Sequence, residues 1–466
     1  MIHDKRNCMH TTIDRTKIPE PGPVPHFTLL DETKLTRTQL SNGINVWLYR
    51  YKKLPVVQVY LAVHTGAFSD PVDKAGMTNL FADMLDEGTK NRSALQIADD
   101  FDFLGTNFNT WSSMDGCGAS MLSMREHLEA SLEIFSDVIR NPEFPEQELT
   151  RVRKNILTSI LQEEDQPNVL ATKVFVKTIY GKDHPYGYPR LGTTESVQFI
   201  TADDLREKYS KYFKPDNASI IVVGDIGLQE LSERLENALS GWKQGDIPKV
   251  TLPDIPDRDR ATIYLTNRAE AAQSQIRIGH RGIERTHKDY FPVLVMNQIL
   301  GGQFTSRINL NLREDKGYTY GAASIWEMRK FGGHFITTGG FQGEYTDKSV
   351  EEIMKELHTI REKGVSEEEL AAAKDGLVRS LPRQFETPSQ IATKLATVAL
   401  YELPENYYDT YVDNVQQVTV DDVKRVTSDY IHPSKVAVVV VGDVQKIKKP
   451  LEKLGIGDVK EVEHKG

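Results

Sequence analysis

The chain has 466 residues, with 39% hydrophobic and 27% charged side chains, which suits a globular protein too long for one ordinary core. A formal net charge of −10 and a pI near 5.7 argue against nucleic acid as the main partner. No apolar run reaches membrane-span length, and two cysteines, Cys8 and Cys117, are too few for a disulfide framework.

The first residues, with Asp4, Lys5 and Arg6, lack the apolar core of a secretory signal. That reads as cytoplasmic, with the periplasm open if a leader has been removed. Pro19–Pro25 is expected to be an extended arm within residues 1–34. A first domain is expected over 35–240, and within it Val56–Val63 alternates like a strand. Residues 78–86 fit a helix. At about 100° per residue, Leu80, Phe81, Met84 and Leu85 share one side, while Asn79, Ala82 and Asp83 share the other and are expected on its surface.

An internal repeat organises the rest. Residues 201–226 align without gaps to 419–444, sharing the Thr-x-Asp-Asp start, Tyr212/Tyr430, Pro215/Pro433 and a Val-Val-Gly-Asp end. In each copy Thr201 or Thr419 is an N-cap candidate, and acidic residues follow where the helix dipole favours them. Each helix stops at a proline, and an apolar strand follows, 219–223 or 436–441. Residues 241–260, rich in Gly, Pro and Asp, read as a linker able to act as a hinge. A second domain, 261–466, is expected to repeat the first, with Gln275–Ile278 as its counterpart strand. The expected fold is α+β: two homologous domains related by a pseudo-twofold, each a mostly antiparallel sheet packed by helices.

Two stretches carry chemistry. Residues 76–89, Gly-Met-Thr-Asn-Leu-Phe-Ala-Asp-Met-Leu-Asp-Glu-Gly-Thr, and the segment from Ile299-Leu-Gly-Gly to Leu312-Arg-Glu-Asp-Lys-Gly-Tyr-Thr-Tyr320 resemble the pitrilysin/insulinase (inverzincin) metallopeptidases. In that family the first stretch reads Gly-x-x-His-x-x-Glu-His, with two zinc-binding histidines and a glutamate base. Here those positions hold Asn79, Ala82 and Asp83. The third ligand, a glutamate on another helix, falls by the family's spacing on Ser159. An amide is a poor zinc ligand and a methyl group cannot take a proton, so the resemblance implies no zinc in this chain. An oxygen-only site for Mg²⁺ or Ca²⁺ at Asn79, Asp83 and Glu87 stays open. His280 and His287 are seven apart but separated by Gly282, and His184 reads as structural.

The second stretch keeps the family's arginine and tyrosine, which in its members hold the substrate backbone and stabilise the oxyanion. By position these are Arg313 and Tyr320, with Tyr318 a rival. Gly317 is expected to end a helix, and 318–325 to form a strand. The resemblance is closest to members that lack the zinc motif. It implies a non-catalytic subunit of a heterodimeric zinc peptidase, paired with a homologous subunit bearing His-x-x-Glu-His and zinc. The chain would bind a peptide or unfolded protein as an added strand. Rival readings are an inert structural subunit, a homodimeric peptide-binding module, and a peptidase with other metal ligands.

Overall fold

The computed structural model describes Gly22, Leu30 and residues 34–463. Cys8 and all of the Pro19–Pro25 arm except Gly22 lie outside the described residues. Among the described residues, twelve strands form two six-stranded sheets. The first contains β1 (Leu35–Gln39), β2 (Asn45–Arg50), β3 (Val56–Val63), β4 (Asn107–Ser112), β5 (Cys117–Met124) and β6 (Ala218–Gly224) in the order β1-β2-β6-β3-β5-β4. The second contains β7 (Thr262–Asn267), β8 (Gln273–Gly282), β9 (Thr319–Arg329), β10 (Gly332–Gln342), β11 (Ala437–Gly442) and β12 (Asp458–Glu461) in the order β12-β7-β11-β8-β10-β9. β2 runs parallel to β6, and β7 runs parallel to both β11 and β12; every other neighbouring pair is antiparallel.

The duplicated segment has the same local structure in both copies. Thr201 caps the helix Ala202–Tyr212 by accepting from the Asp204 N–H at 3.2 Å, and Thr419 caps Val420–Tyr430 by accepting from the Asp422 N–H at 3.1 Å. Asp204 and Asp422 accept in return from the threonine N–H groups, closing two capping boxes. β6 and β11 follow as six- or seven-residue strands that are buried throughout.

Burial on both faces reflects an exchange of helices. Pro167–Tyr180, from the first half, packs on β8 and β11 of the second sheet. Pro388–Leu400, from the second half, packs on β3 and β6 of the first. β3 is therefore covered even at the polar positions of its alternation. Gln58 is buried, and Ser389 donates to its side-chain oxygen at 2.6 Å. Residues 241–260 contain neither helix nor strand, yet they are pinned. Trp242 is buried and donates to the Phe213 carbonyl at 3.0 Å, while Val250, Leu252 and Ile255 pack against an apolar cluster.

Candidate functional site

The helix carrying Asn79 spans Met77–Asp83, shorter than the 78–86 expected, because Met84 already leaves the regular hydrogen-bond pattern. Its start is fixed by the buried ion pair Asp70–Lys208, 2.9 Å apart. Asp70 also accepts from the Thr78 N–H at 2.9 Å, satisfying a first-turn donor. Leu80, Phe81, Met84 and Leu85 enter the first core as the periodicity implies. On the opposite side only Asp83 stays partly exposed. Asn79 is only 2% exposed and Ala82 is fully buried, because Ser112, at the end of β4, packs over that side.

Asn79 is committed within a polar network. Its amide donates to Asp83 at 2.9 Å, and its oxygen accepts from the Ser112 hydroxyl at 3.1 Å and from the Arg190 guanidinium. Arg190 also donates to Ser112 at 3.1 Å. Burial raises the Asp83 carboxyl above the usual carboxylate range, against the pull of Arg190 and the Asn79 amide. Glu87 is taken by an ion pair with Arg151. Ser159 is an exposed alcohol on the helix Glu146–Glu164, and its hydroxyl donates back to the Asn155 carbonyl at 3.1 Å. This donor set does not fit zinc. It offers an amide, a methyl group, one carboxyl and an alcohol, with a guanidinium already bonded where a dication's ligand would be. Arg190 occupies the same oxygen that the Mg²⁺ or Ca²⁺ alternative requires. Among the described residues, no group of three or more His, Cys, Asp or Glu side chains is arranged to hold a metal ion.

Arg313 and Tyr320 come together in an open cleft of about 600 Å³ beside β9, one of the two edge strands of the second sheet among the described residues. Gly301 lets the segment before Arg313 approach that strand: a Cβ there would sit 2.4 Å from the Ser324 nitrogen. Arg313 lies on a wide helical turn, Leu310–Asp315, with its guanidinium 4.5 Å from the centre of the Phe304 ring. Gly317, at φ +67°, closes this segment, and β9 begins at Thr319. Thr319 opposes Phe341 and Ala322 opposes Gly339, so Tyr320 and Gly321 together face Gly340 alone. That is a β-bulge, which re-aims side chains. Tyr320 is 90% exposed, and its hydroxyl makes no hydrogen bond among the described residues. Tyr318 instead stacks on Tyr345 with centroids 4.5 Å apart, so the cleft contains Tyr320 and not its rival.

Two family models match the chain: "Insulinase (Peptidase family M16)" over residues 46–194 and "Peptidase M16 inactive domain" over residues 200–377. The chain belongs to the M16 peptidase family. It is 25% identical over 392 residues to an uncharacterized zinc protease, YmxG, of Bacillus subtilis, covering 84% of this chain and 94% of that one. A non-peptidase homolog, also called YmxG, of Helicobacter pylori is 25% identical over 431 residues, 91% of this chain and 97% of that one. Among solved structures, a peptidase M16 inactive domain from Pseudomonas fluorescens superposes with a TM-score of 0.82 at 25% identity, covering 88% of this chain and 98% of that one. The chain therefore comprises two α+β M16 domains.

Other residues singled out from the sequence have structural roles. His280 is buried on β8 with both ring nitrogens engaged, one at 2.7 Å from the Arg281 carbonyl and the other accepting from the His432 N–H at 3.2 Å. His287 lies in the following loop, so the pair shares no helical face. His184 is buried and accepts from the Tyr186 N–H at 3.1 Å. Cys117 is buried, which pushes its thiol up to about 12. Sequence reasoning missed Arg190 and Phe304. Arg190 is far along the chain from Asn79 and follows no helical spacing, whereas Phe304 lies inside the recognised motif.

Proposed function

We infer that this chain is the non-catalytic subunit of a two-subunit M16 zinc peptidase. It would form half of the reaction chamber, bind an extended peptide and lend Arg313 and Tyr320 to a zinc site in a homologous partner bearing His-x-x-Glu-His. The observation that carries this reading is a contrast within one chain. The zinc-equivalent positions are closed by a polar network with an arginine, while the Arg313 and Tyr320 cleft is open and the Tyr320 hydroxyl bonds nothing among the described residues. A planar, permanently charged guanidinium and a free phenol are suitable donors for a peptide carbonyl and for the charge that develops on it. The edge of a sheet beside them suits an extended substrate strand.

The test is native co-purification from the host, followed by assay of the assembled complex. A near-stoichiometric partner of similar length carrying His-x-x-Glu-His is expected. Arg313→Ala or Tyr320→Phe should each lower turnover by about 10²–10³ without dissociating the complex. A chain that emerges alone or as a homodimer would sink the shared-site reading. Unchanged turnover in the variants would leave an inert scaffold of M16 fold.

A further inference from the structure

A second cleft continues the first along β9. It has a volume of about 410 Å³ and is lined by β9 residues 324–328, by the helix Tyr290–Asn297 and by Arg285. The two clefts share Gly302, and together they follow β9 from Tyr320 to Met328. At about 3.3 Å per residue, that is a run of roughly 26 Å. The outer edge of β9 pairs with no strand among the described residues.

Arg285 is only 9% exposed, and among the described residues no carboxylate pairs with it. Its guanidinium lies 3.9 Å from the Tyr290 ring centre and 5.0 Å from that of Tyr407, and it donates to the Tyr407 hydroxyl at 2.8 Å. These rings attract a cation but supply no negative charge. Nearby Lys394 is half-buried and also has no ion pair among the described residues; burial and then Arg285 lower its affinity for a proton. The one carboxylate lining the cleft, Glu327, lies 3.7 Å from Arg329. Burial disfavours the Arg285 charge and the surrounding tyrosines offset that cost, yet among the described residues no anion balances the guanidinium, so a carboxylate would gain a charge partner already held in place.

We propose that the cleft at Arg285 takes a carboxylate of the extended peptide lying along β9, so that the substrates of this M16 protein carry an acidic side chain or a free C-terminus there. The inference rests on the peptide-binding reading above and adds the substrate class to it. Arg285 presents a planar donor set to which a carboxylate binds through two parallel hydrogen bonds. Its ring packing restricts the guanidinium before the ligand arrives, which lowers the ordering cost of binding.

The test uses the full chain and three fluorescein-labelled octapeptides of alternating Thr and Val: one with a central Glu and an amidated end, one with Gln and a free end, and one with Gln and an amidated end. Fluorescence anisotropy is measured at fixed ionic strength. One of the two carboxylate peptides is expected to bind at least about tenfold more tightly than the neutral one, as one charge-assisted bond implies, and which one does so names the source of the carboxylate. Arg285→Gln should erase that difference. In the wild-type chain, sodium acetate replacing chloride should displace the carboxylate peptide and spare the neutral one, which requires no variant to fold. Equal binding of all three, or a preference that survives Arg285→Gln, overturns the carboxylate site while leaving peptide binding intact. Binding of none removes the peptide reading and this inference together.

Discussion

Replacing Asp115 should loosen the joint between the two halves of the molecule. Asp115 sits in the turn between β4 and β5, is 2% exposed, and accepts from three donors. These are the buried Tyr186 hydroxyl from its own half, and the Tyr401 hydroxyl at 2.8 Å and the Lys330 N–H at 3.2 Å from the other half. Asp115→Ala removes one acceptor and strands all three donors. Tyr186, fully buried, would lose a charge-assisted bond worth about 2–3 kcal/mol, and Tyr401, partly buried, about 1–2 kcal/mol. The Lys330 N–H is a backbone donor on a partly exposed residue and adds little beyond these. The expected loss is about 3–5 kcal/mol, and at about 2 cal/mol/K per residue over a chain of this size it lowers Tm by about 4 °C. Tyr401→Phe removes only one bond and should cost about 1–1.5 kcal/mol. The two changes should be less than additive in the double variant, because they share that bond. Urea unfolding followed by tryptophan fluorescence and calorimetry would supply the numbers. An Asp115→Ala loss below about 1 kcal/mol, or one equal to that of Tyr401→Phe, would refute the claim that this carboxylate clasps the halves.

Restoring the zinc residues through Asn79→His, Ala82→Glu, Asp83→His and Ser159→Glu should give sub-stoichiometric zinc by elemental analysis while Arg190 remains, and near one zinc per chain once Arg190→Ala is added, because the guanidinium repels a dication. Full loading with Arg190 in place would show that Arg190 is no obstacle. Tyr320→Phe should leave the stability of the isolated chain within about 0.5 kcal/mol, since the hydroxyl is exposed and bonds nothing among the described residues; a larger loss in a urea titration would mean the residue is structural. Stability should fall on acidification below about pH 6.5. Burial lowers His280 to about 4 and His334 to about 3, so the unfolded chain binds a proton near its ordinary 6.5 while the native state does not. Each such imidazole contributes up to about 1.4 kcal/mol per pH unit between its folded value and 6.5. Urea midpoints that do not change from pH 7 to pH 5 would contradict this.

Much of the frame was legible along the chain. The repeat, the Thr201 and Thr419 caps, and the strands at 56–63, 219–223 and 436–441 rest on local chemistry: a hydroxyl accepting from an N–H three residues on, a proline without a donor, β-branched runs between turns. Arg313 and Tyr320 were singled out differently, by the resemblance of the motif around them to the pitrilysin/insulinase family. What failed was anything set by a distant neighbour. Asn79 sits on the polar side of its helix yet is buried, because Ser112 and Arg190 reach it from β4 and from a later loop. β3 alternates but is covered on both faces, because a helix from the other half lies on it.

Sequence alone determines that positions 79, 82, 83 and 159 carry an amide, a methyl group, a carboxyl and an alcohol, which no fold turns into two imidazoles and two glutamates. It also determines that an arginine and a tyrosine remain at the second motif. Only the tertiary structure decides what became of each place. Chain folding brings Arg190 onto the Asn79 oxygen, which closes the first site. A single unpaired residue in the β9–β10 ladder turns Tyr320 outward, which leaves the second open. Both outcomes depend on contacts between residues far apart in the chain, and periodicity carries no information about those.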